Sequence, residues 1–209
     1  MKRIVLLYVF LAVAISTQAQ INAITESGDQ VVLYSDGTWK YVEESQEEEE
    51  EIPENPKKFK KDKDATFLVK SKNVNVGVWI NPKTWIFEKG TDKDDYEFQF
   101  QKKGEDLYAM LLTEKISIPI ENLAEIAIEN AKEVSPDLKV MKKEYRNVNG
   151  VKVLMMKMKG TIQGVKFVYY GYYYSNSEGS IQFLTFTGEK LMKEYKKDIE
   201  RFLNGFVEL

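Results

Sequence analysis

Residues 138–187 read LKVMKKEYRNVNGVKVLMMKMKGTIQGVKFVYYGYYYSNSEGSIQFLTFT, and the fold turns on them. Asn149-Gly150 separates two β-rich runs, 138–148 and 151–159, as a tight hairpin, because Asn-Gly readily supplies the positive-φ pair of a type I′ turn. Runs at 165–174 and 181–187 continue the series. In the last of these, Ile181 and Phe183 point one way and Leu184 and Phe186 the other, so both faces need cover. The run VKVLMMKM (151–158) is similarly mixed, as in a strand buried on two sides.

Upstream, strand-like runs fall at 66–70, 74–80, 95–101 and 107–115. Tyr96, Phe98 and Phe100 alternate with Glu97, Gln99 and Gln101, which predicts one wet face. Two amphipathic helices punctuate the strands. The first, near 119–134, opens on Pro119, aligns Leu123, Ile126, Ala127, Ala131 and Val134, and ends before Ser135-Pro136. The second, near 189–204, gathers Leu191, Met192, Tyr195, Ile199, Phe202, Leu203 and Phe206 on one stripe. Two helices at separate places in the chain predict cover for two faces of one sheet. The expected fold class is α+β: an antiparallel β-sheet over 66–209 sandwiched by two helices, preceded by a small N-terminal β-meander.

The meander is predicted at 20–42. Gly28-Asp29 and Asp36-Gly37 are hairpin signals between β-rich runs, with Val31, Leu33 and the 39–42 segment as the apolar side. About twenty residues bury too little surface to be stable alone, so this piece must dock or pair. Between it and the body, residues 43–65 carry a glutamate block (Glu43, Glu44, Glu47 to Glu51), Pro53 and Pro56, then Lys57, Lys58, Lys60, Lys61 and Lys63. Dense like charge with little apolar content predicts a disordered tether of roughly 25 Å.

The first nineteen residues have the layout of a secretory signal peptide. Lys2 and Arg3 form the positive end, residues 4–15 an apolar run, and Thr17 and Ala19 the small residues before a cut that leaves Gln20 first. Twelve apolar residues at helical rise span about 18 Å, short of a bilayer core of roughly 30 Å. Export to a bacterial periplasm or the extracellular space is the expected address. The chain has no cysteine, so neither disulfides nor a thioether lipid anchor are available, and no histidine, which removes imidazole catalysis and His-ligated metals. The net charge of −3 becomes −5 once Lys2 and Arg3 leave, and no basic stripe marks a nucleic-acid partner.

The order of elements resembles the PsbP-like family of α/β/α sandwiches. The likeness rests on NVGVWI (75–80) running into Pro82 and Trp85, a hairpin region, one helix, a further meander, and a C-terminal helix ending in Asn204-Gly205-Phe206. It covers roughly residues 66–209. It implies a small, often exported protein, mostly non-enzymatic, acting as an assembly factor or accessory subunit, with no shared catalytic residues. Separately, VVLYSDGTWKYV (31–42) resembles a short D-G-T-W-x-Y β motif of bacterial envelope proteins.

The tyrosine run of 169–174, broken by Gly171, is the most unusual local feature. Alternation sends Val165, Phe167, Tyr169, Gly171 and Tyr173 to one face and Lys166, Val168, Tyr170, Tyr172 and Tyr174 to the other. Either these rings fill a central strand, or Tyr170, Tyr172 and Tyr174, with Trp39 of the meander, form an aromatic binding strip. Asp92, Asp94 and Asp95 have an ordinary turn composition, and Met155, Met156 and Met158 read as core filling. No residue is singled out as catalytic or as a metal ligand, and no cofactor is implied. The expected role is an exported, non-catalytic envelope or secreted protein that binds a protein or a surface polymer. The alternative is a hydrolase of cell-wall or glycan material using carboxylates and tyrosine, which needs a deep pocket holding two carboxylates and a tyrosine.

Overall fold

The structure is a computed structural model that describes residues 20–42, 51–91 and 95–209. The signal-peptide reading, most of the glutamate block, and Asp92 and Asp94 lie outside the described residues. In chain order the strands are β1 (Gln20–Ile24), β2 (Gln30–Tyr34), β3 (Trp39–Tyr41), β4 (Glu54–Phe59), β5 (Phe67–Lys70), β6 (Val76–Ile80), β7 (Trp85–Lys89), β8 (Phe98–Lys102) and β9 (Tyr108–Glu114). Helix α1 (Ile120–Val134) follows, then β10 (Lys139–Val148), β11 (Val151–Ile162), β12 (Val165–Asn176), β13 (Gly179–Gly188), α2 (Met192–Leu203) and β14 (Phe206–Glu208).

The expectation of an antiparallel sheet between two helices is corrected. The described chain is mostly β, with three sheets: β1-β2-β3, an eight-stranded sheet β4-β10-β11-β12-β13-β9-β8-β7, and β14-β6-β5. The large sheet is mixed, because β4 runs parallel to β10 while its other pairs are antiparallel. One face is covered by α2 together with the small sheet: Val69, Val76, Val78, Ile80 and Phe206 share a core with Tyr195, Ile199 and Phe202. The other face meets α1, whose Leu123, Ala124, Ala127 and Ile128 pack on Leu154, Met156, Met158 and Tyr173. Runs 66–70 and 74–80 thus pair with each other and with the C-terminal strand instead of joining the main sheet. Their apolar residues face a core already floored by eight strands, and a second layer buries them where an edge position would leave one face wet.

Residues 54–59, read from sequence as part of a disordered tether, form β4. Its charged side chains face solvent while Phe59 is buried and Asn55 donates to Glu144, so one anchoring ring and one amide hold a segment that composition alone assigns to coil. An edge strand tolerates this content, since lysines and Pro56 sit where, among the described residues, no further strand pairs.

The turns differ in type. Asn149 (φ 52°) and Gly150 (φ 94°) form the two-residue positive-φ hairpin expected between β10 and β11, with Val148 opposite Val151. In the meander only Gly37 and Gly28 have positive φ. Their loops hold three residues, closed by Tyr34 N–H to Thr38 C=O and Thr25 N–H to Asp29 C=O, each a type I turn ending in a glycine bulge. Glu97, expected on a wet face, is buried and accepts from the Ser71 and Thr113 hydroxyls and the Lys72 amide.

Candidate functional site

The tyrosine strand alternates as its sequence requires, with the strip pointing inward. Tyr170, Tyr172 and Tyr174 are 5%, 1% and 9% exposed, and they lie in the core beneath α2 and the small sheet. Tyr172 donates to Asn204 Oδ1 at 2.8 Å and Tyr174 to Glu208 at 2.7 Å, so these hydroxyls pin the C-terminal elements. Burial pushes the Tyr170 and Tyr174 phenols up to about 12, with the Glu208 contact adding to the effect at Tyr174. The three offer no surface to a ligand. Which face of β12 lies deeper depends on what the rest of the chain stacks against it, and strand periodicity carries no record of that.

Beside them is a buried ion pair. Arg146 Nη2 stands 2.5 Å from Glu144, and the guanidinium lies over the rings of Phe59 (4.5 Å) and Tyr170 (5.6 Å). Burial works to raise the Glu144 pKa, but hydrogen bonds from Lys142, Arg146 and Asn55 outweigh it and hold the carboxyl below its ordinary value. The cluster clamps β4 to β10 and is closed to solvent.

Trp39 is placed differently. It is 51% exposed, Tyr41 is 57% exposed, and their rings meet edge-to-face at 5.1 Å. Register sets Ile21 opposite Leu33 and Leu33 opposite Trp39, so three strands carry one exposed apolar row, all with substantial open surface. A shallow open depression of about 650 Å³ runs along this hairpin, lined by Val32, Tyr34, Trp39, Lys40, Tyr41 and Val42. The meander is seated on the body through its first turn. Gly28 is buried against Pro119, Asn122 Nδ2 donates to the Gly28 carbonyl at 3.0 Å, and Ile24 packs on the α1-side core. Sequence reading placed Trp39 as a site residue and named Tyr41 only within an apolar segment. The alternation W-K-Y was the available signal for the pair.

A second open groove of about 520 Å³ lies where the meander turn, the start of α1 and the sheet meet, lined by Ser27, Pro119, Glu121, Tyr145 and Lys152 among others. The Tyr145 hydroxyl donates to Glu121, and Lys152 Nζ sits 4.1 Å over the Tyr145 ring and 2.6 Å from Glu54. Sequence reading missed this grouping, because its four members are scattered from residue 54 to residue 152. It assembles the residue types of a carboxylate–tyrosine hydrolase, yet each group is taken up by another. Burial and Glu121 both push the Tyr145 phenol upward, so it stays protonated at neutral pH. The described carboxylates that depart from ordinary values, Asp36, Asp137, Glu144 and Glu208, all move down, the opposite of a general acid.

No protein-family model matches the sequence, and no curated protein does. Among solved structures, cyanobacterial PsbP (CyanoP) from Synechocystis sp. PCC 6803 aligns with a TM-score of 0.52 at 12% identity, over 68% of this chain and 92% of that one. The fold is PsbP-like. A protein of unknown function from Pseudomonas aeruginosa aligns with a TM-score of 0.43 at 10% identity, over 68% of this chain and 95% of that one. A Bacteroides thetaiotaomicron protein aligns with 0.41 at 11%, over 69% of this chain and 49% of that one. At such identity the likeness to CyanoP concerns the fold alone. Within this PsbP-like arrangement the central sheet is covered by one helix plus a second sheet on one face. On the other face α1 contacts β11 and β12. Among the described residues no helix is long and apolar enough to cross a membrane.

Proposed function

We propose that this chain is an exported, non-catalytic accessory module that binds a protein of the bacterial envelope through the aromatic edge of its N-terminal meander. The observation that carries the reading is the exposure of Trp39 and Tyr41 on a three-stranded sheet that is itself seated on the body. Exposed aromatic pairs are the residues that most often supply binding energy, because they bury large rigid area with little entropy loss. A sheet this small must present one face to something else. Tyr170, Tyr172 and Tyr174 of β12 are committed to the core.

Pull-down from an envelope fraction tests this, using the chain from Gln20 onward. Trp39→Ala with Tyr41→Ala should remove a partner that the unaltered chain retains, and binding should weaken by about tenfold or more per hot-spot ring. Retention of the same partner by the doubly substituted chain would sink the reading. Retention of a polysaccharide instead would replace the protein partner with a surface polymer. Intact-mass measurement of the exported protein checks the address, with a mass beginning at Gln20 expected.

A further inference from the structure

We infer that the partner engages this site as an extended segment that adds a fourth strand to the free edge of β3, with an acidic residue set opposite Lys40. The inference rests on the preceding placement of the contact at Trp39 and Tyr41, and it specifies the chemistry of what binds there.

The hydrogen-bond phase of the hairpin shows which backbone groups are free. Val42 N–H donates to Gln30 C=O at 3.0 Å and Tyr34 N–H to Thr38 C=O at 2.8 Å, while Lys40 lies opposite Val32. In an antiparallel ladder bonded pairs alternate with non-bonded ones, so Lys40 directs its N–H and C=O toward β2. Trp39 and Tyr41 then direct theirs outward, and among the described residues nothing bonds to them. Two donors and two acceptors therefore stand on the open edge at the spacing of a strand, flanked by two rings on one face. Lys40 projects to the other face, exposed and without an ion pair among the described residues.

Two other sheet edges, β4 and β7, are blunted. β4 carries Pro56 with Lys57 and Lys58, and β7 ends in Glu88 and Lys89, the usual devices against strand addition. The β3 edge carries two exposed rings on either side of a single lysine. A second copy of this chain is a poor occupant. Antiparallel β3-to-β3 pairing centred on the edge would set Lys40 against Lys40 in a non-hydrogen-bonded pair, with Cα atoms about 4.5 Å apart, where like charge is destabilising. A different chain with Glu or Asp at that position and apolar residues on either side satisfies the backbone, the rings and the charge together.

The test uses the 15N-labelled chain from Gln20 and three acetylated, amidated peptides. One is Thr-Val-Glu-Val-Thr, one is Thr-Val-Lys-Val-Thr, and the third is the first with both valines N-methylated. Strand addition predicts that the glutamate peptide, at about 1 mM, slows water exchange of the Trp39 and Tyr41 amides several-fold while leaving the already bonded Lys40 amide unchanged. The lysine peptide should bind about threefold more weakly, and N-methylation should abolish the protection. Absence of protection, or binding indifferent to N-methylation, overturns strand addition. If Trp39→Ala with Tyr41→Ala still removes the envelope partner in that event, the aromatic reading stands and only the strand geometry falls. If that substitution leaves capture intact, the binding reading itself has failed.

Discussion

The guanidinium of Arg146 stands 4.5 Å over the Phe59 ring, and this contact explains how a lysine- and proline-rich segment becomes an ordered edge strand. Arg146 belongs to β10 and Phe59 to β4, so the stack crosses the parallel pairing of the two strands. Glu144 closes the far side of the cation, and Asn55 of β4 donates to that same carboxylate. The Arg146–Glu144 pair thereby holds both ends of β4.

Removing that cation should be severe. Arg146→Met leaves buried Glu144 only the more exposed Lys142 and the Asn55 amide as partners and removes the cation over Phe59, a loss on the order of 1–3 kcal/mol. Thermal or urea unfolding measures it. Arg146→Met with Glu144→Gln should recover part of the loss, because the buried carboxylate that has lost one of its two cations is then neutral. A double variant no better than the single one would contradict this account.

Acid and alkali should each weaken the fold through different groups. Glu144 and Glu208 have carboxyl pKa values held below the ordinary value, Glu208 by hydrogen bonds from Tyr174 and Asn176. Their contribution is full above the unfolded value near 4.5 and is lost as pH falls through the folded one. Tyr170 and Tyr174 are raised to about 12, so their contribution is full below pH 10 and disappears between there and about 12. Melting temperature against pH should show a plateau bounded by those two windows. Glu144→Gln should flatten the acid side, and an unchanged acid limb would count against Glu144 as a source.

Two neighbouring hydroxyls on β12 should respond oppositely to deletion. Tyr172 bonds Asn204, whereas the Tyr173 hydroxyl is fully buried with no hydrogen-bond partner among the described residues. Tyr172→Phe should cost about 1 kcal/mol, and Tyr173→Phe should be neutral or stabilising by up to about 1 kcal/mol, since it removes a desolvated group. Chemical denaturation of the two variants compares them directly. Equal losses would show that Tyr173 has a partner after all.

The seat of the meander depends on one glycine. Gly28 has φ 90°, and a Cβ there would come within 2.8 Å of Pro119 Cδ. Gly28→Ala combines backbone strain with a clash at the docking point, a penalty of about 1–3 kcal/mol against a contact that holds only a small sheet. Limited proteolysis should then cut within residues 20–42 while the body keeps its melting temperature. A meander as resistant as in the unaltered chain would mean that Gly28 is not its anchor.

Much of the local structure is legible without the fold. Asn149-Gly150 places a hairpin, β11 to β13 alternate as their residues demand, and the buried stripe of α2 from Met192 to Leu203 follows helical spacing. Phe206 is an instructive miss. It fits the α2 stripe in projection, yet it begins β14 and pairs with Val78, because the chain turns at Asn204-Gly205 where the backbone closes on the Trp79 carbonyl. The strand at 54–59 was hidden for a related reason, since its partner lies nearly ninety positions away.

The candidate site divides along the same line. Exposed rings at Trp39 and Tyr41 follow from a short hairpin with too few residues to bury both its faces, and W-K-Y alternation is enough to see them. Tyr170, Tyr172 and Tyr174 have the same period and the same chemistry, but their exposure was decided by α2 and by the β14-β6-β5 layer folding over them. What the sequence determined by itself was the alternation along each strand, the tight turns, and the absence of cysteine and histidine, because these rest on backbone sterics and composition. Which face became interior, which segment closed the sheet edge, and which edge stayed open were decided by the tertiary structure alone. Those outcomes depend on contacts between residues far apart in the chain, where burial is shared out once for the whole molecule.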